Sequence, residues 1–123
     1  MAKGLTTKGL TNDRTDVLQG TLDLMVLRTL ETIGPLHGYG IARRIEQMSD
    51  DVLKLNEGTV YASLMRLLRR RWISASWGLS ENNRKARFYA ITRSGRGQLT
   101  RETKNWDRIA GVMARLLRAA ERS

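Results

Sequence analysis

The apolar positions of this chain follow two different periods, and the change from one to the other outlines its architecture. From Val17 to Ile33, Leu18, Leu22, Met25, Val26, Leu30 and Ile33 recur at the spacing of one helix face. Gly34-Pro35 stops that helix, because Pro35 has no amide proton and turns the residue before it away from helical angles. A second helix is predicted from about Tyr39 to Met48, with Ile41, Ala42, Ile45 and Met48 inward. Leu53-Lys54-Leu55 is too short to assign by itself. Asn56 predicts the N-cap of a third helix, since its side chain can accept from the Thr59 amide. That helix covers roughly residues 57 to 70, with an apolar stripe at Val60, Leu64, Leu67 and Leu68. Its other face is read as Thr59, Ser63, Arg66 and Arg70.

After Trp72 the period becomes two. Ile73, Ala75 and Trp77 share one strand face, and Trp72, Ser74 and Ser76 the other. Arg87 to Ile91 forms the returning strand, with Tyr89 and Ile91 on one side. Gly78 to Lys85 makes the turn, its Asn82-Asn83 tolerating left-handed backbone angles. Residues 92 to about 120 form the longest helical segment, capped by Thr92 or Ser94. Along it Leu99, Thr103, Trp106, Ala110, Met113, Leu117 and Ala120 alternate in steps of four and three, a heptad seam three repeats long. A lone wing-bearing domain has no need of such a seam, so a partner is expected.

Three short helices followed by a hairpin and a long helix predict a mainly α fold with a small β-hairpin: a winged helix-turn-helix plus a long C-terminal dimerisation helix. The expected division is a flexible, polar N-terminal arm over residues 1–16, the DNA-binding domain over 17–91 and the dimerisation helix over 92–123. Charge supports this reading. Ten basic residues and one acid, Glu81, lie between Arg66 and Arg101, so that this stretch carries +9 of the chain's +10. Residues 1–57 hold seven basic against eight acidic residues. A positive field this concentrated is the electrostatic footprint of a nucleic-acid binder.

Composition removes other classes. With no cysteine there is no disulfide framework and no thiolate metal site, and the single histidine, His37, leaves no pair for zinc and no catalytic triad. No enzyme, metal or cofactor is expected. The first residues lack a signal peptide's apolar run, and no uncharged stretch approaches membrane-spanning length. A cytoplasmic protein without membrane contact is the expectation.

From Val17 to Leu117 the residues resemble the PadR family of bacterial transcriptional regulators. The matching stretches are Leu18-Gln19-Gly20-Thr21-Leu22-Asp23-Leu24, Gly34-Pro35-Leu36-His37-Gly38-Tyr39-Gly40-Ile41 and Gly58-Thr59-Val60-Tyr61. Trp72-Ile73 and Arg84-Lys85-Ala86-Arg87-Phe88-Tyr89, leading into Thr92, complete them in the same order. A single helix after the wing resembles the shorter subfamily. The resemblance implies a homodimeric repressor of double-stranded DNA, built through the C-terminal and first helices, with planar aromatic effectors in some members. It also implies glycine where this chain has Arg71 and Asn83, and proline where it has Ala62.

The candidate DNA contacts are therefore Thr59, Tyr61, Ser63, Arg66 and Arg70 on the third helix and Arg84, Lys85 and Arg87 on the wing. Thr59 and Ser63 can meet base edges or phosphates, and an arginine such as Arg66 can bond guanine in two-pronged fashion. Tyr61 divides between core and phosphate donor. The wing cations position the duplex through phosphates, or merely solubilise the tip. His37 is read as a structural hydrogen-bonding residue, with a ligand or pH-sensing role as the alternative. The candidate dimer interface is Leu18, Leu22, Leu99, Trp106, Ala110, Met113 and Leu117. Trp106 either fills that interface or, with Met113 and Leu18, walls a pocket for a small aromatic effector. A non-specific or architectural nucleic-acid binder remains the alternative to a sequence-specific repressor of palindromic operators.

Overall fold

A computed structural model describes residues 19–122. Helices α1 (Gln19–Ile33), α2 (Gly38–Met48) and α3 (Glu57–Arg69) precede a hairpin of β2 (Ile73–Leu79) and β3 (Lys85–Ile91), and α4 (Arg93–Arg122) follows. The two-residue strand β1 (Leu36–His37) lies between α1 and α2 and completes a sheet ordered β1-β3-β2. Both pairings are antiparallel, with Leu36 opposite Tyr89, Ile73 opposite Ile91 and Leu79 opposite Lys85. β1 was not expected, since two residues carry no detectable period. The N-terminal arm and Leu18 lie outside the described residues.

Each helix is stopped or started by the chemistry that its flanking residues carry. Asn56 caps α3, its side chain accepting from the Thr59 amide at 2.8 Å. His37 caps α2 in the same manner, with Nδ1 accepting from the Gly40 amide at 3.0 Å, so its proton sits on Nε2. Of the two candidates for α4, Thr92 is the cap: its hydroxyl accepts from the Gly95 amide at 3.0 Å and donates to the Arg71 carbonyl at 2.9 Å. α3 ends in a Schellman motif, in which the amides of Trp72 and Arg71 donate to the carbonyls of Leu67 and Leu68. Arg71 therefore takes φ +61°, the left-handed angle for which glycine is the usual residue. At the wing, Ser80 and Arg84 close the hairpin and Asn83 takes φ +63°.

The core gathers Leu22, Val26, Leu27 and Leu30 of α1, Ile41 and Ile45 of α2, and Val60, Leu64 and Leu67 of α3. The sheet adds Ile73, Tyr89 and Ile91, and the start of α4 adds Leu99. Apolar burial of this kind is the main force holding three short helices against a small sheet. Two expected core residues are not in it. Ile33 and Met48 end their helices and overhang the packed region, with Met48 69% exposed. Trp77 shares a face with Ile73 as expected, but β2 runs beyond the core into the wing and leaves Trp77 65% exposed. There it packs under Lys85, whose ammonium sits 5.1 Å from the ring centre.

Candidate nucleic-acid interface

Helix α3 is rotated relative to its expected orientation. Gly58, Tyr61, Ala62 and Arg69 are exposed, and Met65 between them is partly so. Ser63 is completely buried. It follows Val60 by three residues and precedes Leu67 by four, so it belongs to the inward face between them. Its hydroxyl donates to Asp23 Oδ1 of α1 at 2.5 Å. Arg66 lies on the same flank. Its Nε donates to Asp23 Oδ2 at 3.0 Å and its Nη2 to Asp23 Oδ1 at 2.7 Å. The hydrogen bond to Asp23 raises the Arg66 pKa above its ordinary value; burial opposes this and the attraction between the charges assists it. Ser63 and Arg66 thus face α1 rather than the outside, which corrects their assignment to the outer face.

The other candidates divide. Thr59 is exposed at the start of α3. Arg70 lies just past the last turn of α3, its guanidinium 5.0 Å from the Trp72 ring centre. Tyr61, 57% exposed, is a surface residue rather than a core one. It joins Arg84, Lys85 and Arg87 along an open groove of about 1090 Å³ between the wing, α2 and the N-terminal half of α3. Tyr39, Arg43 and Gln47 of α2 line the same groove and were missed. They stand four residues apart on the helix face opposite Ile41 and Ile45, a signal the sequence carried. Lys85 and Arg87 alternate along β3 with the half-buried Ala86 and Phe88 of the opposite face, and continue the face that Tyr89 and Ile91 bury nearer the core. One surface therefore carries the exposed phenols of Tyr39 and Tyr61 and four cations, Arg43, Arg84, Lys85 and Arg87, against two acids, Glu57 and Glu81.

Helix α4 is likewise divided between two tasks. Its seam begins in the chain's own core, where Leu99 is buried. Leu22 is also buried there, so neither residue is available to a second chain as expected. From Trp106 onward the helix leaves the core, and Trp106, Ile109, Val112, Met113, Leu116 and Leu117 are exposed. Ala110 is exposed as well. Trp106 also closes a second cavity of about 410 Å³, walled by Leu24, Met25 and Arg28 of α1, Met48 of α2, Leu53 and Thr103. Met113 is not among its lining residues. His37 contacts Phe88 edge to face and serves as a helix cap. Among the described residues no helix is long and apolar enough to cross a membrane.

The family model described as the transcriptional regulator PadR-like family matches residues 26–101, which include α2, α3 and the whole wing. The chain belongs to this family. PadR-like proteins are transcription factors and not enzymes, and the winged helix, small three-stranded sheet and long last helix are the PadR fold. A transcriptional regulator of Clostridium thermocellum is 25% identical, with a TM-score of 0.71 over 79% of this chain and 90% of its own. A PadR family transcription regulator of Clostridium difficile is 27% identical, with a TM-score of 0.68 over 77% of this chain and 96% of its own. Bacillus subtilis PadR, whose structure holds operator DNA, shares the fold with a TM-score of 0.58 at 21% identity, over 67% of this chain and 46% of its own.

Proposed function

We propose that this PadR-like regulator is a homodimeric repressor that binds palindromic operators through the groove described above. The observation that carries the reading is the convergence of Tyr39, Arg43, Tyr61, Arg84, Lys85 and Arg87 on one groove beside the exposed stripe of α3. In this reading the exposed Tyr61 and Ala62, with Thr59 at the margin, meet base edges when α3 enters a major groove. Arg84, Lys85 and Arg87 bind the flanking phosphates, which position the protein without reading sequence. The operator complex of Bacillus subtilis PadR supports the choice of duplex DNA as partner. Binding to chromosomal DNA would place the protein at the nucleoid.

Dimerisation rests on α4. A stripe of six large apolar residues along one helix, continuous with a buried heptad position at Leu99, is a coiled-coil face that needs a second copy. In such a dimer the DNA-binding unit extends from the arm to Ile91 and α4 is the shared element. Two copies of α3 then address half-sites about 34 Å apart, one helical turn of DNA. Repression follows from occlusion of polymerase. The cavity beside Trp106 supplies an effector compartment, since a planar aromatic ligand preferring one spacing of the two α3 helices shifts the dimer away from its operator.

The test is selection of the purified protein against random duplex at physiological salt. An enriched inverted repeat that survives excess random competitor is the expected result. Affinity for the best site within about tenfold of random DNA, far below the usual specificity ratio, makes the protein a non-specific binder instead.

A further inference from the structure

Of the cations near the recognition helix, Arg66 stands apart because an acid already holds it. Among the described residues three ion pairs form, and two of them join neighbours on one segment, Arg28–Glu31 and Lys54–Asp51. The third, Arg66–Asp23, joins α3 to α1 at 2.7 Å. Asp23 has both carboxylate oxygens engaged, one by Arg66 Nε and the other by Arg66 Nη2 and the Ser63 hydroxyl. A two-pronged bond of this kind is what arginine offers a phosphate or a guanine. The pair is at the rim, not in the core, since the Arg66 and Asp23 side chains are 20% and 19% exposed. Ala62 and Arg69, one turn before and one turn after Arg66, both lie on the exposed stripe of α3. A guanidinium released from Asp23 would therefore stand beside the surface that approaches DNA.

We propose that Asp23 is a charge-masking residue, whose carboxylate occupies Arg66 in place of a DNA phosphate and so limits the affinity and salt dependence of duplex binding. The proposal rests on the DNA-binding reading above. A phosphate contact strengthens binding to every sequence alike, so withholding one lowers affinity for operator and random DNA by the same factor: it sets overall affinity and salt dependence, not the ratio between sites. In a segment with ten basic residues and one acid, such restraint matters more than another cation would. A brace that merely holds α3 against α1 makes the opposite prediction, because its loss weakens all binding as the helix loosens.

Salt dependence counts the contacts. Each phosphate neutralised contributes about 0.9 to the slope of log K against log salt for duplex DNA. Binding to a random duplex is measured by fluorescence anisotropy across a series of KCl concentrations, with folding followed by circular dichroism. Asp23→Asn, which keeps the shape and the Ser63 partner, should bind the random duplex more tightly than wild type. Its slope should steepen by about 0.9 per bound subunit. Asp23→Asn combined with Arg66→Gln should return the slope to the wild-type value, and Arg66→Gln alone should leave it unchanged. Glu31→Gln, which removes the same charge from another ion pair of α1, should leave it unchanged too.

An unchanged or shallower slope in folded Asp23→Asn overturns the proposal, as does equal steepening in Glu31→Gln or in the double variant. If Asp23→Asn fails to fold, Arg66→Gln decides alone: a slope shallower by about 0.9 shows that Arg66 already binds phosphate, and the proposal falls. A wild-type protein that binds no duplex at any salt overturns the DNA-binding reading itself, and this proposal with it.

Discussion

Gly95 offers a test in which local propensity and tertiary packing predict opposite signs. It lies in the first turn of α4, where alanine is a better helix former by about 1 kcal/mol. By propensity alone Gly95→Ala stabilises the protein. The fold places that position against the junction of α3 and β2. A Cβ there would meet the Trp72 carbonyl oxygen at 2.1 Å, the Trp72 carbonyl carbon at 3.0 Å and Ile91 Cγ1 at 2.9 Å. Favourable contacts lie near 3.5–4.0 Å, and a backbone carbonyl cannot rotate away as a side chain can. The Trp72 carbonyl is further fixed by accepting from the Thr92 amide at 3.0 Å. α4 must therefore shift at its start, which strains the Thr92 cap and the burial of Leu99. Overpacking of this kind costs about 3 kcal/mol, at the upper end of the usual range. Subtracting the gain in propensity leaves a net loss of about 2 kcal/mol. For a chain of this size that lowers Tm by about 6–10 °C. Gly97→Ala is the matched control, since its Cβ meets only the Arg101 guanidinium at 3.7 Å, and it should raise Tm by a few degrees. Urea and thermal unfolding followed by circular dichroism, at one fixed protein concentration, measure both. A Gly95→Ala protein as stable as Gly97→Ala would refute the packing of α4 on the Trp72 backbone.

Arg71 is held at φ +61°, so Arg71→Gly should be more stable than Arg71→Ala by about 1 kcal/mol, a comparison in which both variants lose the same charge. Equal stabilities in urea would mean that the Schellman turn does not form. Arg84→Ala should weaken binding to all duplexes alike and lower the salt slope by about one; loss confined to the operator would show that the wing reads bases. Trp106→Ala should leave the winged domain folded but weaken self-association roughly 30-fold or more, as removal of a large aromatic anchor does. Sedimentation showing an unchanged dimer mass would remove Trp106 from the interface.

How much of this was legible beforehand differs from element to element. The cap at Asn56 was readable because capping depends on a side chain and an amide three residues away, whereas for α4 the sequence left Thr92 and Ser94 open and the structure chose Thr92. The hairpin was readable from its change of period, and the groove's wing cations from their sequence cluster. Helix α3 was placed correctly, yet its outer face was misjudged by about a quarter of a turn. Val60, Leu64 and Leu67 define an inward arc that includes Ser63, but a polar residue there looks like surface until its partner is known. That partner, Asp23, lies 40 residues away on α1. Leu22 and Leu99 were read as dimer contacts because helical spacing marks an apolar face without saying which surface covers it.

The sequence by itself determined the number and type of the larger elements, the Asn56 cap, the concentration of charge and the family. These follow from local rules: hydrophobic period, side-chain-to-amide bonds within a turn, and the tendency of like charges in one stretch to make one field. Tertiary structure alone decided which apolar residues close the chain's own core and which stay exposed. It also decided that Arg66 points to an internal carboxylate and that Gly95 has no room for a methyl group. Each of these depends on atoms brought together from distant parts of the chain, and no local pattern encodes such distances.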